Sequence, residues 1–251
     1  MSGFAPDHAR AEVRVSPNFG GRREVDGPSI IILHYTGMRS GELAESWLCD
    51  PASEVSSHYL VHEDGAVVQM VREADRAWHA GKSSWHGHTD INSRSVGIEV
   101  VNPGNLADHP PFFDVQIASL IDLCRDICAR NGIAPESVLA HSDVAPGRKI
   151  DPGPAFPWDA LAEAGIGRMP VLDSWPDVAP IQPGDSGEPV EMLQSMLQML
   201  GYGIEINGAF DATTRSVVEA FQLHYRRSQV DGVADAETQA LISSLVGPPA
   251  G

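Results

Sequence analysis

The stretch SIIILHYT (29–36) sets four aliphatic residues, Ile30 to Leu33, directly before a histidine. So short an apolar run, rich in β-branched side chains, reads as a buried strand ending at His34. SVGIEVV (95–101) and SVLAHS (137–142) read as further strands, the latter ending at His141, and SSHYLVHEDGAVVQMV (56–71) as a hairpin turning at Glu63, Asp64 and Gly65. Helical spacing fills intervals at 41–49 and 114–131, the second with Asp114 as N-cap and Gly132 as its stop. Strands alternating with helices predict an α/β domain over residues 1–168, with a mixed central β-sheet flanked by helices.

The texture then changes. MPVLDSWPDVAPIQPGDSG (169–187) has four prolines and no periodicity, so 169–182 reads as a linker. Residues 183–251 look all-helical: VEMLQSMLQMLG (190–201) is amphipathic and ends in glycine. INGAFDATTRSVV (206–218) is repeated, at an offset of 24, by VDGVADAETQALI (230–242). Asn-Gly and Asp-Gly supply the turns, and Asp211 and Asp235 are natural N-caps with Thr214 and Thr238 at N3.

Charge narrows the partners. A net charge of −17 repels phosphate backbones and anionic lipid, which argues against nucleic acid and membrane surfaces. No run approaches the roughly 18 apolar residues of a membrane span, and the N-terminal stretch lacks an apolar signal core. Three cysteines are too few for a disulfide framework, and Cys124 and Cys128 share the apolar face of the 114–131 helix, as buried inert thiols do.

Against this background HSDVAPGRKIDPG (141–153) stands out as a loop stiffened by two prolines and two glycines. A lone histidine is more often packed or solvated than a ligand. His34 and His141, however, both end strands, and Asp151 follows on the stiff loop. Two histidines and a carboxylate would leave one tetrahedral position open for water, as in catalytic zinc sites. Glu99, inside an apolar strand, needs a partner if buried; a metal-activated water is one, backbone N–H groups or Arg94 are others. Lys149 is either a solvated loop residue or a cation aimed at a developing oxyanion.

IILHYTG, SSHYLVHEDGAVVQMV, AWHAGKSSWHG, NSRSVGIEVVN and HSDVAPGRKIDPG, in that order over residues 10–165, resemble the type 2 N-acetylmuramoyl-L-alanine amidases, which share the fold of the peptidoglycan recognition proteins. Residues 183–246, with LGY and the repeated (N/D)G…T pattern, resemble the three-helix peptidoglycan-binding domain. The combination is similar to the AmpD/AmiD branch. The resemblance implies zinc held by His34, His141 and Asp151, with Glu99 as catalytic base and Lys149 as catalytic cation. An aspartate third ligand, where phage and recognition-protein relatives usually carry cysteine, fits the bacterial branch. Tyr59 matches a tyrosine that some relatives place at the zinc, and His79 a segment lining the substrate groove, with a scaffold role as its alternative. His58, His62, His86, His88 and His109 match no ligand position and are expected on the surface or in loops.

The implied reaction is hydrolysis of the amide between N-acetylmuramic acid, or its anhydro form, and L-alanine, in peptidoglycan or soluble muropeptides. The alternatives are a non-catalytic muropeptide-binding protein, whose relatives typically lack a ligand, and a peptidase cutting within the stem, for which no HExxH pattern speaks. A monomer is expected. The absence of a signal points to the cytoplasm and the wall-binding module to the envelope.

Overall fold

A computed structural model describes residues 3–247. In chain order the elements are β1 (Glu12–Val13), β2 (Phe19–Gly21), β3 (Ile30–Tyr35), α1 (Gly41–Leu48), β4 (Tyr59–Val61), β5 (Val67–Gln69), β6 (Asp75–Ala77), α2 (Ile91–Arg94) and β7 (Ser95–Val100). They continue with α3 (Asp114–Asn131), β8 (Val138–Ala140), α4 (His141–Val144), α5 (Trp158–Glu163), α6 (Glu188–Leu200), α7 (Ala212–Tyr225) and α8 (Ala236–Val246). By contacts the described chain forms two compact units. The first runs to Lys82 and takes in Asp90–His141 and Asp151–Arg168; the second gathers Ser83–Thr89, Ser142–Ile150 and the chain from Met169 onward.

The first unit holds a six-stranded mixed sheet in the order β1-β5-β4-β7-β3-β8, with only β4 and β5 antiparallel. The run Ile30–Leu33 forms the body of β3, between β7 and β8, and is fully or almost fully buried. Helices cover both faces. Ala44 and Leu48 of α1 pack with Leu60, Val68 and Met70. On the face carrying Tyr59, the C-terminal turn of α3 reaches Glu73: Arg130 and Asn131 donate to its carboxylate at 2.6 to 2.8 Å, and the Tyr59 hydroxyl donates at 2.6 Å.

Most predicted elements form within a residue or two, with three local differences. The helix predicted over 114–131 is α3, but its N-cap is Phe113, and Asp114 lies inside the first turn, where its charge still favours the positive end of the helix dipole. Gly132 ends α3 in the left-handed region, at φ 65°. The predicted strand 137–142 shortens to β8, because His141 begins the single turn α4. His58, expected on the surface, is fully buried: its Nδ1 accepts from Gly97 N–H at 2.9 Å and its Nε2–H donates to the Asp75 carbonyl at 3.1 Å. Burial, reinforced by the Arg22 charge, lowers its pKa to about 3, so the ring stays neutral.

In the second unit, α6, α7 and α8 are the helices of the tail. Asp211 and Asp235 cap α7 and α8, accepting from Thr214 N–H at 2.8 Å and Thr238 N–H at 2.9 Å. Two buried glutamines explain the repeat. Gln194 Oε1 accepts from the backbone of Asn207 and Gly208, while its amide donates to Ala209 O. Gln222 does the same with Asp231, Gly232 and Val233. Each glutamine thus clamps one (N/D)G turn to the preceding helix. Ile181, in the segment read from the sequence as a linker, bridges Ala234. Among the described residues no helix is long and apolar enough to cross a membrane.

Gln222→Leu should destabilise the helical unit. Two amides would lose their acceptor, at about 1–3 kcal/mol each, measurable by denaturant unfolding of the full chain; an unchanged midpoint would contradict the clamp.

Candidate metal centre

Strand register decides which side chains can meet. His34 on β3 is opposite Glu99 on the parallel strand β7, and Leu33 is opposite Ala140 on β8. One residue further, β8 gives way to His141. Directly paired residues point to the same face of a sheet, so His34 and Glu99 share one face at the C-terminal ends of their strands; His141, the first residue after β8, completes the row with its ring centroid 4.4 Å from that of His34. This is where open α/β sheets place their ligands.

His34, His141 and Asp151 converge. His34 Nδ1, His141 Nδ1 and Asp151 Oδ2 lie 2.9 Å from one another, and all three residues are buried.

The protons on the histidines can be assigned from their outer partners. His141 Nε2 is 3.1 Å from the Ala80 carbonyl, an acceptor, so it carries the proton and leaves a lone pair on Nδ1. For His34 the chain of reasoning is longer. The Ser95 hydroxyl has one proton, donated at 2.7 Å to the Ile91 carbonyl. Its oxygen therefore accepts from His79 Nε2–H, at 3.1 Å. Burial, then the neighbouring imidazoles, drives the His79 pKa well down, so its Nδ1 is an acceptor for His34 Nε2–H at 3.0 Å. This leaves the His34 lone pair on Nδ1. Two imidazole lone pairs and a carboxylate oxygen then face one another with no proton between them. A cation resolves that arrangement, and the N,N,O donor set suits zinc. Outer-shell carbonyl and imidazole partners are how metal-binding histidines are usually oriented.

Several of these supports were not singled out from the sequence. Asn92 Oδ1 accepts from both His79 N–H, at 3.0 Å, and Ala80 N–H, at 2.8 Å, fixing the strip that holds both histidines. Gly97 leaves room for the ring: a Cβ there would come within 2.4 Å of His79 Cγ. A glycine inside a strand marks such a close approach, so that signal was present in SVGIEVV.

The remaining sequence expectations fall as follows. His79 is brought to the cluster through His34. Tyr59 is not: paired with Ile98, it faces the other side of the sheet from Glu99, and burial together with the Glu73 charge pushes its phenol far above the ordinary range. Lys149 lies two residues before Asp151 on the segment Ser142–Ile150, where its N–H and that of Arg148 both donate to Ala145 O at 3.1 Å. Cys124 and Cys128 are free thiols, buried on α3 and pushed up to about 11 in the case of Cys128.

Residues 24–154 match the family model described as N-acetylmuramoyl-L-alanine amidase. The chain belongs to that family. Residues 186–242 match a peptidoglycan binding domain. This amidase-family chain is 38% identical to the N-acetylmuramoyl-L-alanine amidase AmiD of Escherichia coli K12 over 86% of its own length and 82% of the relative's. It is 32% identical to the 1,6-anhydro-N-acetylmuramyl-L-alanine amidase AmpD of Citrobacter freundii, over 57% of its length and 83% of that protein's. Its fold matches E. coli AmiD in complex with the substrate anhydro-N-acetylmuramic acid-L-Ala-D-gamma-Glu-L-Lys, with a TM-score of 0.72 and 36% identity, covering 91% of this chain and 97% of that one. The mixed sheet with flanking helices and the helical C-terminal region agree with these relatives.

Gly97→Ala should force the His79 ring aside and destabilise the protein by about 1–3 kcal/mol, the usual cost of overpacking. Thermal unfolding of the full chain checks this, and a wild-type midpoint would mean that the ring has room to spare.

Proposed function

We propose that this protein is a zinc-dependent N-acetylmuramoyl-L-alanine amidase that hydrolyses the amide joining the lactyl group of N-acetylmuramic acid, or its anhydro form, to L-alanine. The observation that carries the reading is the meeting of three proton-free donor atoms, on His34, His141 and Asp151, in the strand-end row that includes Glu99. The family match and the substrate named for the E. coli AmiD complex support the choice of bond.

His34, His141 and Asp151 would hold the ion. A zinc ion bound there lowers the pKa of a water from 15.7 toward about 7 and polarises a carbonyl. Glu99 accepts the water's proton and delivers it to the departing alanine nitrogen. The Lys149 ammonium offers positive charge to the carbonyl oxygen as that oxygen becomes negative. His79 and Ser95 keep the His34 lone pair directed inward. The helical unit, matched by a peptidoglycan binding domain, holds the enzyme on polymeric substrate and so raises its local concentration there.

His34→Ala should lose bound zinc, measured by atomic absorption, together with release of L-alanine-terminated peptide. The same variant should still co-sediment with purified sacculi; turnover in a zinc-free His34→Ala protein would overturn the metal reading. Lys149→Ala should retain zinc and lose about 10²–10³ in kcat, the usual cost of one oxyanion-stabilising donor. Near-normal turnover would remove Lys149 from the reaction.

A further inference from the structure

The segment Ser142–Ile150 joins two of the proposed zinc ligands, His141 and Asp151, and carries Lys149, yet by contacts it belongs with the C-terminal helices. The reason is Asp143. Its side chain is completely buried; Oδ1 accepts from the Tyr202 hydroxyl at 2.8 Å and Oδ2 lies 2.7 Å from His224 Nδ1. Tyr202 follows α6 and His224 lies on α7, and both are themselves almost fully buried. A carboxylate removed from water in this way depends on the groups that hold it, Tyr202 and His224 among them, and losing one of them weakens that hold.

The surrounding contacts repeat the attachment. Ser84 N–H donates to Val144 O at 2.8 Å, and His86 N–H donates to Gly201 O at 2.8 Å. Trp85 packs edge-on against Tyr202, and its indole occupies the space that a side chain at residue 201 would fill. Gly147 leaves room for Ser216 of α7, since a Cβ there would come within 2.8 Å of Ser216 Oγ. The LGYG turn (200–203) and α7 thus grip the segments Ser83–Thr89 and Ser142–Ile150 through specific polar contacts and close packing.

We propose that Tyr202 and His224 are positioning residues for the reaction: acting through Asp143, they set the conformation of the segment that joins His141 to Asp151 and bears Lys149. The helical unit is then part of the apparatus that shapes the catalytic loop as well as a wall anchor. This rests on the amidase reading. Removing the helical unit would not separate the two roles, so point variants in the full zinc-loaded chain are the test.

His224→Ala and Tyr202→Phe should be compared with wild type for amide hydrogen exchange over 142–150, zinc content, and kcat and KM on a soluble N-acetylmuramoyl tripeptide. The expected result is faster exchange confined to that segment and a kcat lower by about tenfold or more, since small misplacements of reacting groups cost rates of this order. KM should stay within about twofold and zinc should remain bound. His224→Asn, which restores an N–H donor near the Nδ1 position, should recover much of the kcat. If His224→Ala unfolds, Tyr202→Phe, which keeps the ring and removes one donor, carries the test. Wild-type kcat in both variants overturns the proposal, whether or not exchange rises. Zinc-loaded wild-type protein that releases no peptide overturns the amidase reading, and this proposal with it.

Discussion

Parallel pairing of β3 with β7 and β8 fixes which residues can meet at the centre. Hydrogen bonding between strands holds His34 opposite Glu99, and His141, the residue that follows β8, brings its ring beside that of His34. Because neighbouring positions alternate faces, a slip of one residue would send His34 to the other side of the sheet and Leu33 into the centre. The same alternation takes Tyr59 away from the centre and into the polar cluster around Glu73.

The cluster of donor atoms cannot hold itself together. Three groups with lone pairs facing one another repel, so their arrangement must come from the frame. Each histidine is secured on its far nitrogen: His141 on the Ala80 carbonyl, His34 on His79 and thence on Ser95. Asn92, by accepting from the backbone of both His79 and Ala80, ties these two supports to one another. The scaffold therefore sets imidazole tautomer as well as position, and a cation reaching these three donor atoms would find no proton to displace on the inner side.

Much of this was legible in the chain. The strand run before His34, the stiff loop before Asp151, the helix ending at Gly132 and the Asp-x-x-Thr caps all depend on local chemistry, and all appear close to where the sequence places them. What escaped depends on contacts between distant segments. His58 sits in a polar-looking stretch, and its burial depends on Gly97 and Asp75, which come from distant parts of the chain. Ser95 supports His79 from 16 positions along the chain, a relation without periodicity. The glutamines that clamp the helical turns are ordinary polar residues until the helices pack around them.

The bond between Asp143 and His224 spans 81 residues. A chain growing from its N-terminus can pair the strands of the sheet well before α7 exists, because domains tend to fold as they emerge. The segment between His141 and Asp151, by contrast, acquires the last of the buried partners described above only once residue 224 has been made. A protein cut short before α7 would carry His141 and Asp151 without the Asp143–His224 contact on the segment that connects them.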